Sequence, residues 1–134
     1  ARDAHAEALE RTAAEALHRA GMSSAAEVDA IAVTVGPGLE ICLRVGCEHA
    51  KALAVQHQKP FVAVHHLEAH VLMARLACDE PPPFPFLTLL VSGGHCQLLL
   101  SRDVNDHMVI GSTLDDALGE AYDKVARLLG LPIG

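Results

Sequence analysis

The sequence predicts an α/β fold, and three observations carry that prediction. Short β-branched or apolar runs alternate with longer segments of helical period across residues 3–78. Glycine or proline marks most of the junctions between them. After a proline cluster at 81–85 the pattern changes to two apolar runs separated by Gly93-Gly94, the signature of a hairpin.

Residues 3–20 read as a helix, with Leu9, Ala13, Ala16, Leu17 and Ala20 recurring at three- and four-residue intervals and Gly21 as the stop. Asp29 to Val35 reads as a short buried strand that ends in the sharp turn Gly36-Pro37-Gly38. A second helix follows from about Leu39 to Gln58. Pro60 then precedes the strand Phe61–Val64, and a third helix runs to about Cys78. Strand–helix–strand–helix alternation implies parallel pairing. The segment Asp79-Glu80-Pro81-Pro82-Pro83-Phe84-Pro85 holds four prolines, which lack donors and stiffen the backbone. It reads as a hinge, giving three parts: residues 1–80, the hinge 81–85, and residues 86–134. Beyond it lie strands at Phe86–Ser92, His95–Ser101 and about His107–Gly111, and a helix from Asp115 to Leu129. Thr113 or Asp115 is the expected cap of that helix, Ala117, Ala121, Val125 and Leu128 its buried stripe, and Glu120–Lys124 and Asp123–Arg127 its supporting ion pairs.

Composition narrows the function. Of the 134 residues 51% are hydrophobic and only 3% aromatic, with no Trp, so the core must be built from Ala, Val, Leu and Ile. No apolar run approaches the ~20 residues of a membrane-spanning helix. The net charge of −7 and the scattered Lys and Arg argue against a broad nucleic-acid footprint on these residues. Cys42, Cys47, Cys78 and Cys96 show no CxxC pairing and read as reduced thiols. The chain starts without Met or a targeting pattern and ends abruptly at Leu131-Pro132-Ile133-Gly134, the expectation being a fragment of a longer protein.

Four segments carry chemistry. In His65-His66-Leu67-Glu68-Ala69-His70, a helix would place His66 and His70 roughly 40° apart around its axis and about 6 Å along it, close enough for one divalent metal. Spacing alone is weak, since 9 His in 134 residues give about 0.6 such pairs by chance. Val91-Ser92-Gly93-Gly94-His95 joins a strand to a turn whose amides can approach phosphate or carboxylate oxygens, with Ser92 and His95 as added side-chain donors. A plain hairpin turn explains the same residues. Gly36-Pro37-Gly38 also precedes a helix, but Glu40 competes there with any anion, so it reads as a structural turn. The helix 115–124 carries four carboxylates, which form either a solvated face or acceptors for ligand hydroxyls.

Taken together, Gly36-Pro37-Gly38, the His65–His70 block, Val91–His95 and Gly119-Glu120-Ala121-Tyr122-Asp123-Lys124-Val125-Ala126-Arg127 resemble, in order and spacing, the tRNA N6-adenosine threonylcarbamoyltransferase family, long labelled O-sialoglycoprotein endopeptidase. The resemblance implies an actin-like two-lobed ATPase fold. Residues 1–80 would be the end of the first lobe and 86–134 the start of the second, with the phosphate hairpin at Ser92-Gly93-Gly94. It implies that His66 and His70 bind iron or zinc, the third ligand coming from an Asp outside these residues. It also implies that Val91, Ser92, Gly93, Gly94, His95 and Asp123 contact threonylcarbamoyl-adenylate. Glu68-Ala69 and Gly94-His95-Cys96 resemble the mitochondrial branch, and the Gly-Glu-Ala-Tyr-Asp-Lys helix the bacterial one. Mitochondrial location follows from the first of these alone.

The implied reaction is metal-assisted acyl transfer from threonylcarbamoyl-adenylate to N6 of adenosine 37 in tRNAs reading ANN codons. On this view tRNA is held mostly by residues outside the chain, a homodimer is compatible, and the segment is inactive by itself. Two alternatives stand beside it. A metalloprotease would need Glu directly after the first His, but Leu67 stands there and Glu68 lies about 200° from His66 around a helix. A non-catalytic actin-like nucleotide-binding module would keep the Gly-Gly turn and leave the histidines idle.

Overall fold

The computed structural model describes residues 2–76 and 78–132. The chain divides into two compact units, Ala1–Ala69 and His70–Gly134.

In the first unit, α1 (Arg2–Arg19) ends at Gly21, whose φ of +75° only glycine adopts readily. Leu9, Ala13 and Leu17 are half-buried, but Ala16 and Ala20, expected on the same stripe, are exposed. The covered face is therefore the narrower i, i+4, i+8 row. A one-turn 3-10 helix at Ala25–Glu27, not foreseen from the sequence, is capped by the Ser24 hydroxyl, which accepts the Ala26 amide at 3.1 Å. Strand β1 (Ile31–Gly36) pairs in parallel with β2 (Phe61–His65), from Ile31 opposite Phe61 to Gly36 opposite His65. Helix α2 (Glu40–Gln56) connects them and packs on β1 and α1. Its buried residues are Ala50 and Ala54, small side chains that permit close approach. Parallel pairing through a helical crossover is what the alternation predicts. The strand is less buried than expected, since Ala32 and Val35 are exposed.

Helix α3 (His66–Leu76) starts directly at the end of β2 without an intervening loop. Its expected extension to Cys78 crosses Ala77, outside the described residues; Cys78 itself is not helical. Val71 is its buried residue, 1% exposed.

In the second unit the proline segment is irregular, as expected, but it is anchored. The Phe84 ring stacks on Phe86 at 5.2 Å between centroids, and the Arg75 guanidinium sits 4.3 Å above Phe84. A three-stranded antiparallel sheet follows in the order β3 (Phe86–Val91), β4 (Cys96–Asp103), β5 (Asp106–Ser112). β3 pairs with β4 from Phe86 opposite Ser101 to Val91 opposite Cys96. Leu99 is buried on one side of the sheet, where the Ser101 hydroxyl, wholly buried, meets His107 Nδ1 at 2.9 Å. On the other side Leu87, Leu89 and Val91 alternate along β3 and stand exposed.

Helix α4 (Leu118–Leu128) begins three residues later than expected and has Ala117 as an N-cap without a side-chain bond. Thr113 is unavailable as a cap because it is bonded to Cys96. Val125 and Leu128, expected to be buried, are exposed, whereas Ala117 is 1% exposed. Lys124 bonds both carboxylate oxygens of Asp116 at 2.6 and 2.7 Å and meets Glu120 at 3.4 Å. The Asp123–Arg127 pair does not form among the described residues. All four cysteines are free thiols. No helix among the described residues is long and apolar enough to cross a membrane.

Candidate functional site

The Ser92–His95 turn is closed by three hydrogen bonds. The Ser92 amide donates to the His95 carbonyl at 3.1 Å. The Ser92 hydroxyl donates to that same carbonyl at 2.7 Å and accepts the His95 amide at 3.0 Å. The Ser92 hydroxyl, read from the sequence as an added side-chain donor, here donates within the turn and fixes it. Between these bonds lie Gly93 and Gly94, neither at positive φ. A Cβ on either would meet nothing within 4 Å. Neither backbone conformation nor packing demands glycine here. What its absence of side chain provides is open access to the Gly93 and Gly94 amides, which donate to no protein acceptor among the described residues.

The start of α4 is folded onto this turn. A helix leaves its first amides without internal partners, and here β4 and the turn supply acceptors in place of a side-chain cap. The Leu118 amide donates to Cys96 Sγ at 3.3 Å, and the Gly119 amide to the Ser92 carbonyl at 3.3 Å. The Leu118 hydrogen bond holds the Cys96 thiol below the ordinary thiol range against the opposing effect of burial, helped by the Ser92 backbone and the Thr113 hydroxyl. Asp116, the acid that would oppose an anion at this helix end, is neutralised by Lys124. That contact, ahead of burial, raises the Lys124 ammonium above its ordinary value. Asp123 lies four residues beyond Gly119, on the face of α4 that meets the turn. The structure thus brings the Ser92–His95 turn against Gly119 at the start of α4, with Asp123 exposed one helical turn further along. Val91 is the last residue of β3 leading into the turn.

His66 opens α3 and His70 stands one helical turn later, both exposed. Glu68 lies between them in the first turn of the same helix. Two imidazoles on one helical side suit iron or zinc. Among the described residues, no three His, Cys, Asp or Glu side chains gather to hold a metal ion. Among the described residues the pair offers two imidazole donors without a third ligand gathered beside them. After the Gly36-Pro37-Gly38 loop, Glu40 in the first turn of α2 is ion-paired with Arg44.

Two site residues were missed by sequence reading, Thr113 and Gly119. A glycine inside the helical pattern after Leu118 is a signal for close approach and could have identified the second.

A parallel β–α–β unit with a helix on it, and an antiparallel sheet whose hairpin turn receives a helix end, place the chain in the α/β class of actin-like ATPase folds. Comparison with known proteins agrees. The TsaD family, tRNA N6-adenosine threonylcarbamoyltransferase, matches residues 1–134, and the chain belongs to that family. Proteins of that name from Brucella ovis and Brucella anthropi are each 58% identical over 129 residues, and one from Brucella canis is 57% identical. These matches cover 96% of the chain and 35% of each relative, so the chain spans about a third of their length. Among solved structures, YeaZ from Pseudomonas aeruginosa is similar, with a TM-score of 0.52 and 23% identity over 81% of this chain and 52% of that one. That likeness concerns the fold alone.

Proposed function

We propose that this chain supplies part of the site at which a threonylcarbamoyl group passes from threonylcarbamoyl-adenylate to N6 of adenosine 37 in tRNAs reading ANN codons. The observation that carries this reading is the side-chain-free turn at Gly93-Gly94, with two open amides beside the positive end of α4.

In this reading the Gly93 and Gly94 amides hold the adenylate phosphate, and the bonds from Ser92 to His95 keep them aimed. The Asp123 carboxylate accepts hydrogen bonds from ligand hydroxyls such as those of a ribose. The adenosine amine attacks the carbamoyl carbon and loses its proton, and the bond to the phosphate oxygen breaks. The negative charge that then returns to the departing AMP is stabilised by the same amides, preorganised before the reaction. His66 and His70 would offer two imidazole nitrogens to iron or zinc, with the remaining ligands supplied by residues beyond those described. A bound ion of that kind supplies Lewis-acid polarisation of acyl oxygens. No covalent role falls to Cys96. The protease alternative is not favoured, because Leu67 occupies the position a protease requires for its general base.

The decisive experiment uses the full-length protein, labelled threonylcarbamoyl-adenylate and unmodified tRNA, with and without a chelator. Transfer is expected, and the chelator should abolish it. Gly94→Ala should keep the wild-type unfolding midpoint and lose transfer about 10-fold or more, because the added methyl stands where the phosphate approaches. Undiminished transfer by that variant would remove the turn from the site.

A further inference from the structure

We infer that Gly119 is a positioning residue that sets the separation between α4 and the phosphate turn; the inference rests on the assignment of the Gly93 and Gly94 amides proposed above. Gly119 lies in the first turn of α4 and does not adopt positive φ, so its backbone conformation does not call for glycine. Space does. A Cβ at this position would stand 2.8 Å from Gly93 Cα, 3.0 Å from Gly93 N and 3.0 Å from Ser92 O. All three are backbone atoms of the turn, so no flexible side chain can yield. Either the turn or the start of α4 must shift, and in both cases the separation between the helix and an amide assigned to the phosphate changes. The bond from Gly119 N to Ser92 O, 3.3 Å long, holds the same approach from the helix side. Lys124 ties α4 to the segment leading into it, through both oxygens of Asp116. The other glycines of the site behave differently, since side chains there would meet open space. Glycine at 93 and 94 admits the ligand, whereas glycine at 119 admits the turn.

The test is steady-state transfer by the full-length protein, reading KM for threonylcarbamoyl-adenylate and KM for tRNA separately. Gly119→Ala should raise the first about 10- to 100-fold, the range for a misplacement of up to about 1 Å, and leave the second within about twofold. A general loss of structure would move both. Gly46→Ala, in α2, adds a methyl at ordinary contact with Val33 (3.6 Å) and should leave both constants unchanged. Ser92→Ala separates the two levels of the argument. If Ser92→Ala raises the donor KM and Gly119→Ala does not, the positioning role is overturned and the functional reading stands. If neither raises it, the functional reading falls and the inference with it. Should Gly119→Ala not fold, the double variant Asp116→Asn/Lys124→Met decides, because it releases the segment leading into α4 without adding bulk at the turn or leaving an unpaired carboxylate beside it. A several-fold rise in donor KM supports the inference, and no rise overturns it.

Discussion

Thr113 and Cys96 are joined at both of the cysteine's backbone polar groups. The Thr113 hydroxyl accepts the Cys96 amide at 2.8 Å and donates to the Cys96 carbonyl at 3.0 Å. The Thr113 amide adds a third bond to that carbonyl at 2.9 Å. This clamp joins the start of β4 to the segment that leads into α4. Thr113→Val keeps the shape and leaves the part-buried Cys96 amide without its acceptor, a loss of about 1–3 kcal/mol. Urea unfolding of the full-length protein should show it, with Thr113→Ser close to wild type. Equal midpoints for Val and Thr would mean that water replaces the hydroxyl.

The Leu118 amide gives Cys96 a distinctive acidity. A thiol held below the ordinary range is thiolate at lower pH, and thiolate is the nucleophile. Alkylation by iodoacetamide, followed residue by residue with mass spectrometry, should therefore turn on at lower pH for Cys96 than for the exposed Cys78. A Cys96 profile at or above that of Cys78 would contradict the hydrogen bond as its controlling influence.

Gly46 sits inside α2, where glycine is unfavourable relative to alanine by about 0.5–1 kcal/mol. Its added methyl would meet Val33 at an ordinary 3.6 Å. Gly46→Ala should raise the unfolding midpoint by that increment. A lowered midpoint would reveal crowding against β1.

Metal content tests the histidine pair independently of activity. His66→Ala and His70→Ala in the full-length protein should each lower bound iron or zinc, measured by plasma mass spectrometry after desalting, and the double variant should retain little. Wild-type content in the double variant would exclude these residues as ligands.

The order of elements was legible in the sequence because it depends on local signals. The β-branched run before Gly36-Pro37-Gly38 and the Gly-Gly turn between apolar runs identify β1 and the hairpin without any knowledge of tertiary contacts. The start of α4 was not legible, because its first amides are satisfied by Cys96 and Ser92, more than 20 residues earlier in the chain. Capping signals are local in sequence, whereas these acceptors are Cys96 at the start of β4 and Ser92 in the turn. Burial of Val125 and Leu128 was misjudged for a related reason: periodicity identifies an apolar stripe but not what lies against it. The candidate turn was recognisable by composition. The internal commitment of the Ser92 hydroxyl and the tight fit at Gly119 depend on distances, which spacing does not encode.

The closure of the turn by the Ser92 hydroxyl also bears on inhibition. A pocket that recognises an anion through main-chain groups offers an inhibitor contacts that amino-acid replacement cannot delete. Under the proposed reading, resistance to a phosphate-mimicking inhibitor seated at Gly93-Gly94 would have to arise by introducing a side chain that also obstructs the natural donor. Drug escape and loss of substrate would then be tied to the same few positions.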